Sequence, residues 1–305
     1  MSYDNSRHAA VLSTNPPVET SRIPSVDWWI TSRCNLACDF CYGPALARDE
    51  VLQRKMILAA IGESSAAAVT FCGGEPLLVR EIDKYATILA DRGKRTVLNT
   101  NGALLRRRID QGLTLPFDVV GISIDGSTSE SHREMRGSGA DLTEALSSAE
   151  LIAQHSGIRL KVATVVSSVN KDDLHRIATL VSALGADVWR IYQYSPRGAQ
   201  NVGQQRHAIT EGEFYQLATW AAEWAHPIPV FPSSHKLSAG CLIVSSEGTV
   251  LQPNDGDYTI HGNCLNEPLD SIWEKISDQV VIDSNKRWLS LVGINTRLPS
   301  TEYKN

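Results

Sequence analysis

Val26-Asp27-Trp28-Trp29-Ile30-Thr31 runs directly into Ser32-Arg33-Cys34-Asn35-Leu36-Ala37-Cys38-Asp39-Phe40-Cys41-Tyr42. The first six residues are mostly apolar, aromatic or β-branched and read as a strand. The next eleven hold three cysteines, spaced by three and then two residues, on the loop that leaves the strand's carboxyl end. Beyond them, Val51–Ile61 has the length and composition of a helix. This strand–loop–helix order is then repeated. Strands are expected over Ala67–Cys72, Thr96–Thr100, Val119–Asp125, Arg159–Val166 and Val188–Tyr194. Helices are expected over Val79–Asp91, Leu104–Gln111, Ala140–Gln154, Lys171–Leu184 and Thr210–Ala225. Alternation of this kind builds parallel sheets from βαβ units. Six units predict an α/β fold, a partial (β/α)6 TIM-like barrel. No G-x-G-x-x-G follows the first strand, which argues against a dinucleotide fold.

Outside these units the reading thins. Residues 1–24 are polar, interrupted by Pro16, Pro17 and Pro24, and are expected to form a flexible tail. They contain no apolar core of a signal peptide. The barrel is assigned to residues 25–226. After residue 227 prolines punctuate the chain, Leu242–Ser245 and Thr249–Gln252 flank Glu247-Gly248 as a short hairpin, and Leu269–Ile276 reads as a helix. Residues 227–305 are therefore assigned to a C-terminal cap, an extension on the substrate side. The 305 residues are 42 % hydrophobic and carry a formal charge of −5. That charge lacks the basic excess of a nucleic-acid-binding protein. Apolar runs are too short to cross a membrane. A cytoplasmic location is the default, and clustered thiols there point to metal rather than disulfides.

Cys34, Cys38 and Cys41 are the candidate metal ligands. Thiolates are the usual ligands of iron–sulfur clusters. Three of them on a four-iron cubane leave one iron open, as a centre that binds a small molecule requires. A structural zinc site or three unrelated buried thiols are the alternatives; zinc would want a fourth Cys or His nearby, and the sequence offers none at regular spacing. After the second strand comes Cys72-Gly73-Gly74-Glu75-Pro76. Its glycines allow close approach of backbone to a ligand, and its glutamate offers an anionic acceptor. An ordinary glycine turn is the other reading.

The two motifs together resemble the radical S-adenosylmethionine superfamily over residues 25–200. That resemblance implies one [4Fe–4S] cluster on Cys34, Cys38 and Cys41, chelated at its open iron by S-adenosylmethionine. An electron donor such as flavodoxin or ferredoxin would reduce it, and a 5′-deoxyadenosyl radical would then take hydrogen from substrate. It also implies cofactor-binding roles for Tyr42, Gly73, Gly74, Glu75, Asn101, Ser123, Asp125 and Arg136. For Asn101, Ser123 and Asp125 a capping or turn role remains open, and for Arg136 a solvated surface position.

The second half is similar to viperin-like enzymes, which act on CTP. Lys161 and Arg190 stand at positions that imply substrate binding, or else are snorkelling strand-end cations. Val69, Ala163 and Val188 stand where further phosphate contacts would be expected. A triphosphate needs many cationic and amide partners. The substrate expected here is instead a sugar nucleoside with little charge, as in the cytosylglucuronate decarboxylases of nucleoside-antibiotic pathways, where radical formation leads to decarboxylation or dehydration. Three other readings stay open: a nucleotide dehydratase acting on CTP, a peptide-modifying radical enzyme, and a non-catalytic iron–sulfur sensor. Cys72 reads as a packed small hydrophobe. Cys241 and Cys264 are too few for a second cluster; a thiol near substrate could return a hydrogen atom. Asn254, Asp255 and Asp257 read as a polar turn.

Overall fold

The computed structural model describes residues 22–43, 51–197, 205–233, 241–254 and 257–276. Most of the expected tail, as well as Asp255 and the stretch from residue 277 onward, lies outside them. Six βα units come first. The strands are β1 (Ser25–Thr31), β2 (Ala68–Gly73), β3 (Arg95–Thr100), β4 (Val119–Ser123), β5 (Arg159–Val166) and β6 (Val188–Gln193). The helices between and after them are α1 (Val51–Glu63), α2 (Ile82–Asp91), α3 (Leu105–Asp110), α4 (Ser129–Arg136), α5 (Leu142–Ala153), α6 (Leu174–Ala183) and α7 (Glu211–Trp224). The chain continues with β7 (Val230–Ser233), β8 (Leu242–Val244), β9 (Thr249–Pro253), β10 (Tyr258–Asn263) and α8 (Leu269–Glu274). All six expected strands are present, with boundaries shifted by two residues at most.

The described strands form one open sheet in the order β10-β9-β8-β1-β2-β3-β4-β5-β6-β7. Neighbours from β8 through β1 to β7 are parallel, and β8, β9 and β10 are antiparallel. The segment after residue 227 thus extends the sheet at both ends: β7 continues it beyond β6, and β8 pairs with β1. The expected hairpin is β8–β9, turned at Gly248, whose φ of +81° suits a residue without Cβ.

Alternation along each strand sorts side chains into two compartments. Val26, Trp28 and Ile30 of β1, Val69 and Phe71 of β2, Leu98, Val120, Ile122, Leu160, Val162, Trp189 and Ile191 face the helices and make the main core. Trp28 lies between Phe71 and Tyr85, with ring centroids at 5.6 and 6.1 Å. The other faces point into the barrel. Ala68, Val97, Val119 and Val188 pack there as an apolar floor. Above the floor the inward residues are polar: Asp27, Thr70, Asn99, Lys161 and Arg190 line an internal cavity. Val69 therefore faces away from the interior and could not have been a phosphate contact. Val188 belongs to the floor, and Ala163 lines the upper cavity.

α4 was not anticipated. Its sequence, Ser129 to Arg136, is almost wholly polar. Local chemistry starts it: Thr128 Oγ1 accepts from the Ser131 N–H, and Ser131 Oγ accepts from the Thr128 N–H. Gly137, at φ +88°, ends it.

Candidate active site

The rim of the barrel is where the strand-end loops converge. Residues 32–43 leave β1 and bring Cys34, Cys38 and Cys41 to one side of a cavity of about 640 Å³. All three are free thiols. Backbone N–H groups of Leu36 and Gly43 are aimed at the sulfurs of Cys34 and Cys41, at 3.4 and 3.3 Å. Such bonds are a recurrent feature of sulfur-ligated clusters. Burial pushes the Cys38 thiol up to about 12, with Arg136 opposing the shift. Among the described residues no three Cys, His, Asp or Glu side chains close on a single point, as one metal ion would require. The cavity beside the three sulfurs has room for a group larger than a single ion.

The loop after β2 is built against this cysteine loop. Gly74 N–H donates to Thr31 O and Glu75 N–H to Arg33 O, both at 2.8 Å. A Cβ on Gly74 would lie 2.0 Å from the Arg33 carbonyl oxygen, and one on Gly73 would lie 2.6 Å from that of Thr31. The close approach that these glycines permit is thus first of all between two protein backbones. Gly73 and Gly74 also line the cavity.

Glu75 is 1 % exposed. Its Oε1 accepts from Leu77 N–H at 3.0 Å and Thr100 Oγ1–H at 2.7 Å, and its Oε2 from Asn101 N–H at 2.9 Å. Burial raises its pKa, and these three donors oppose that. An ionised carboxylate has about four acceptor sites, so one remains for a ligand donor. Asn101 donates through Nδ2 to Asn35 Oδ1 at 2.9 Å and accepts from Ala103 N–H at 3.0 Å, tying the third strand's loop to the cysteine loop. Ser123, half-buried, lines the same cavity.

Asp125 is fully buried and faces inward. Its Oδ1 accepts from Val165 N–H at 2.7 Å, and its Oδ2 pairs with Arg136 Nε at 2.5 Å. Arg136 is thus a cation only 11 % exposed at its side chain, with an internal counter-ion, rather than a solvated surface residue. Its guanidinium carbon sits 5.8 Å from the centre of the Phe40 ring. Its terminal nitrogens make no hydrogen bond to the described residues, and the side chain lines the cavity. Tyr42, half-exposed, is fixed by its carbonyl, which accepts from Tyr258 Oη–H at 3.0 Å. The ring centres of Trp29 and Tyr258 are 5.4 Å apart, edge to face. All eleven expected cluster and cofactor residues therefore border one cavity or its walls.

The two expected substrate residues lie deeper. Lys161 is 1 % exposed and bonds Asn99 Oδ1 at 2.5 Å. Gly121 makes the space for this pair: a Cβ there would meet Lys161 Cε at 2.4 Å and Asn99 Oδ1 at 2.6 Å. Burial, reinforced by the Arg190 charge, pulls the Lys161 ammonium down to about 7. Arg190 lies over the Tyr192 ring at 5.0 Å. Lys161 and Arg190 line an inner chamber that shares Phe40, Tyr42, Cys72, Asn99, Val165 and Tyr192 with the cluster-side cavity. The two spaces adjoin, with these residues as their common wall.

Sequence reading missed Asp27, Asn99, Arg197 and the cysteine-loop brace His207. His207 is buried between Ser167 and Asp39, with its Nε2 3.0 Å from Asp39 Oδ1. For Asp27 a signal existed: a carboxylate in the middle of a strand otherwise built for burial. Cys72 and Cys241 both line the inner chamber, whereas Cys264 is packed in the main core.

The family model of the Radical SAM superfamily matches residues 29–181, half of the chain and the whole of the first six strands except β6 and the start of β1. The chain belongs to the radical SAM superfamily. Members of this superfamily use S-adenosylmethionine and an iron–sulfur cluster, and its named relatives are enzymes. An AdoMet-dependent heme synthase of Oleidesulfovibrio alaskensis is 29 % identical over 64 % of this radical SAM chain and 51 % of its own length. An S-adenosylmethionine-dependent nucleotide dehydratase of Selenomonas ruminantium is 23 % identical over 82 % of this chain and 93 % of its own. The chain spans about half the length of the heme synthases it matches. Streptococcus suis SuiB bound to S-adenosylmethionine shares the fold, with a TM-score of 0.67 at 13 % identity over 83 % of this chain and 66 % of that one. Among the described residues no helix is long and apolar enough to cross a membrane.

Proposed function

We propose that this radical SAM chain holds one [4Fe–4S] cluster on Cys34, Cys38 and Cys41, and acts on the sugar of a nucleoside-like substrate. When bound, the cluster and S-adenosylmethionine supply a carbon radical able to abstract hydrogen. The protein's own task is to place that chemistry against the substrate and keep water out. Gly73, Gly74, Glu75, Asn101, Ser123, Asp125 and Arg136 form the cofactor wall, with Tyr42 at its edge. Glu75 keeps one acceptor site for an ammonium group. Arg136, already neutralised on one side by Asp125, offers its terminal nitrogens to a carboxylate. Lys161 and Arg190 hold an anionic group of the substrate deeper in the barrel.

The observation that carries this reading is the inner chamber, which holds Lys161 and Arg190 and shares six wall residues with the cluster-side cavity. Its three cations, Lys161, Arg190 and Arg197, are partly offset by Asp27, which suits a modest anionic charge, so the favoured reaction is hydrogen abstraction followed by loss of a carboxylate or hydroxyl, of the cytosylglucuronate decarboxylase type. A second reading, a nucleotide dehydratase acting on CTP, is favoured by the Selenomonas ruminantium relative, which aligns over nearly its whole length. Anaerobic reconstitution with dithionite, S-adenosylmethionine and sugar-deuterated cytosylglucuronate separates the two. Deuterium in 5′-deoxyadenosine is expected. Turnover of CTP with no label from the uronate would overturn the preferred substrate.

A further inference from the structure

The inner chamber carries one feature that an anion site does not need, a carboxylate. Asp27 sits in the middle of β1. Its neighbours Val26, Trp28 and Ile30 are buried against the helices, while Asp27 itself faces inward beside Thr70 of β2 and Ile243 of β8. It lies two residues below Trp29, whose partner Cys72 borders the cluster-side cavity, and so stands one inward layer deeper. Among the described residues of the chamber wall the charged side chains are Lys161, Arg190 and Arg197 on one side of the balance and Asp27 alone on the other. Its one hydrogen bond among the described residues comes from the Cys241 thiol, at 3.4 Å to Oδ2. A thiol is a weak donor, and a carboxylate has about four acceptor sites, so most of the capacity of Asp27 is open to a ligand.

Packing gives no reason for an acid here. The apolar floor lies below it and the main core behind it, and a threonine or serine would fill the strand position as well. Asp27 acts on the Lys161 charge across the chamber, so the balance of the two bears on what can enter. A polyphosphate would bring several negative charges against Asp27 in a half-buried chamber, where repulsion is less screened than in bulk water. A sugar carrying one carboxylate would set that group on Lys161 and Arg190 and turn its hydroxyls toward Asp27. Specificity of this kind needs a repulsive element as well as an attractive one.

Resting on the proposed function above, we propose that Asp27 is the substrate-selecting residue of the chamber: it accepts hydrogen bonds from the hydroxyls of a singly charged uronosyl nucleoside and excludes nucleoside polyphosphates.

The test uses the full chain, reconstituted anaerobically with iron, sulfide and S-adenosylmethionine. Equilibrium affinities are measured for cytosylglucuronate and for CTP, in the natural protein and in Asp27→Asn and Asp27→Ser. Both variants are checked for iron content and circular dichroism, and the better-folded one decides. The natural protein is expected to prefer the uronate. Replacement should weaken uronate binding about tenfold and tighten CTP binding about tenfold, the scale of one lost polar contact and one removed repulsion. An unchanged ratio of the two affinities overturns the proposal, and so does uronate binding that tightens along with that of CTP, as loss of a mere counter-ion to Lys161 would give. The underlying function is read separately, from 5′-deoxyadenosine. If none forms with either probe while the affinity ratio still depends on Asp27, the reaction assignment fails and the selectivity stands. If label passes from the uronate while the ratio ignores Asp27, only the selectivity fails.

Discussion

Lys161 shows how much one side chain takes from its surroundings. The ammonium donates to Asn99, yet burial, with Arg190 facing it, pulls its pKa down to about 7. An anionic ligand in the chamber favours the protonated form. Affinity for a carboxylate ligand should therefore be greatest below pH 7 and fall as pH rises through that value, by up to about tenfold per unit. Titration calorimetry at pH 6, 7, 8 and 9 checks this, with net proton uptake on binding near pH 7. Lys161→Met should bind weakly and lose the pH dependence. The sequence named Lys161 but not its neighbours. Asn99 and Gly121 are legible as its partners only once β3, β4 and β5 are in register, because Asn99 pairs with Gly121 and Gly121 with Lys161 across the sheet. Asp27 is conspicuous in the sequence, but its location is not. A single acid in an aromatic strand looks like a solvent-facing position until both faces are known to be enclosed.

At the scale of elements, strands were easier to read than short helices. The apolar runs of β1 to β6 declare themselves because one face of each is buried against helices. α4 gave no such signal, since its hydrophobic content is confined to Met135; a capping box and a glycine stop define it instead. Its position matters, because it delivers both Arg136 and His132. His132 is buried, its Nδ1 accepts from the Asp125 N–H at 3.3 Å, and burial pulls it down to about 4. The folded protein thus keeps His132 neutral down to about pH 4, whereas the unfolded chain takes up that proton near 6.5. Stability should fall as pH drops between those values, by up to about 1.4 kcal/mol per unit. Urea melts from pH 7 to pH 4 measure the slope. In His132→Asn, which keeps an acceptor of similar reach, that part of the slope should vanish. β10 also escaped notice. It is partly exposed along its length and follows no alternating pattern.

At the scale of the molecule, the repeated βα order was enough to place the cysteine loop, the glycine loop and the polar strand ends on one rim. What the order could not convey is how the C-terminal residues return. β8 adds to β1 in parallel, and α8 is bound back to the start of the barrel, where Asp270 accepts from Ser65 N–H at 3.1 Å. Pairing between strands so far apart in sequence leaves no local trace. Ending the chain after residue 240 would remove β8, β9, β10 and α8 together and uncover the backbone edge of β1. Such a truncation should aggregate, since an apolar open edge is a template for pairing between molecules. Soluble yield and light scattering, compared with the full chain, check this. The site residues on the rim would all still be present, so the outcome separates the needs of the fold from those of the chemistry.

The same pairing has a consequence for how the protein is made. Val26 leaves the ribosome well before its partner Leu242, which is translated 216 residues later. For most of synthesis β1 can be covered on one side only, by β2. The strand that introduces the cysteine loop thus spends its early life as an exposed edge, and iron supplied before residue 244 emerges would meet a barrel not yet complete on that side.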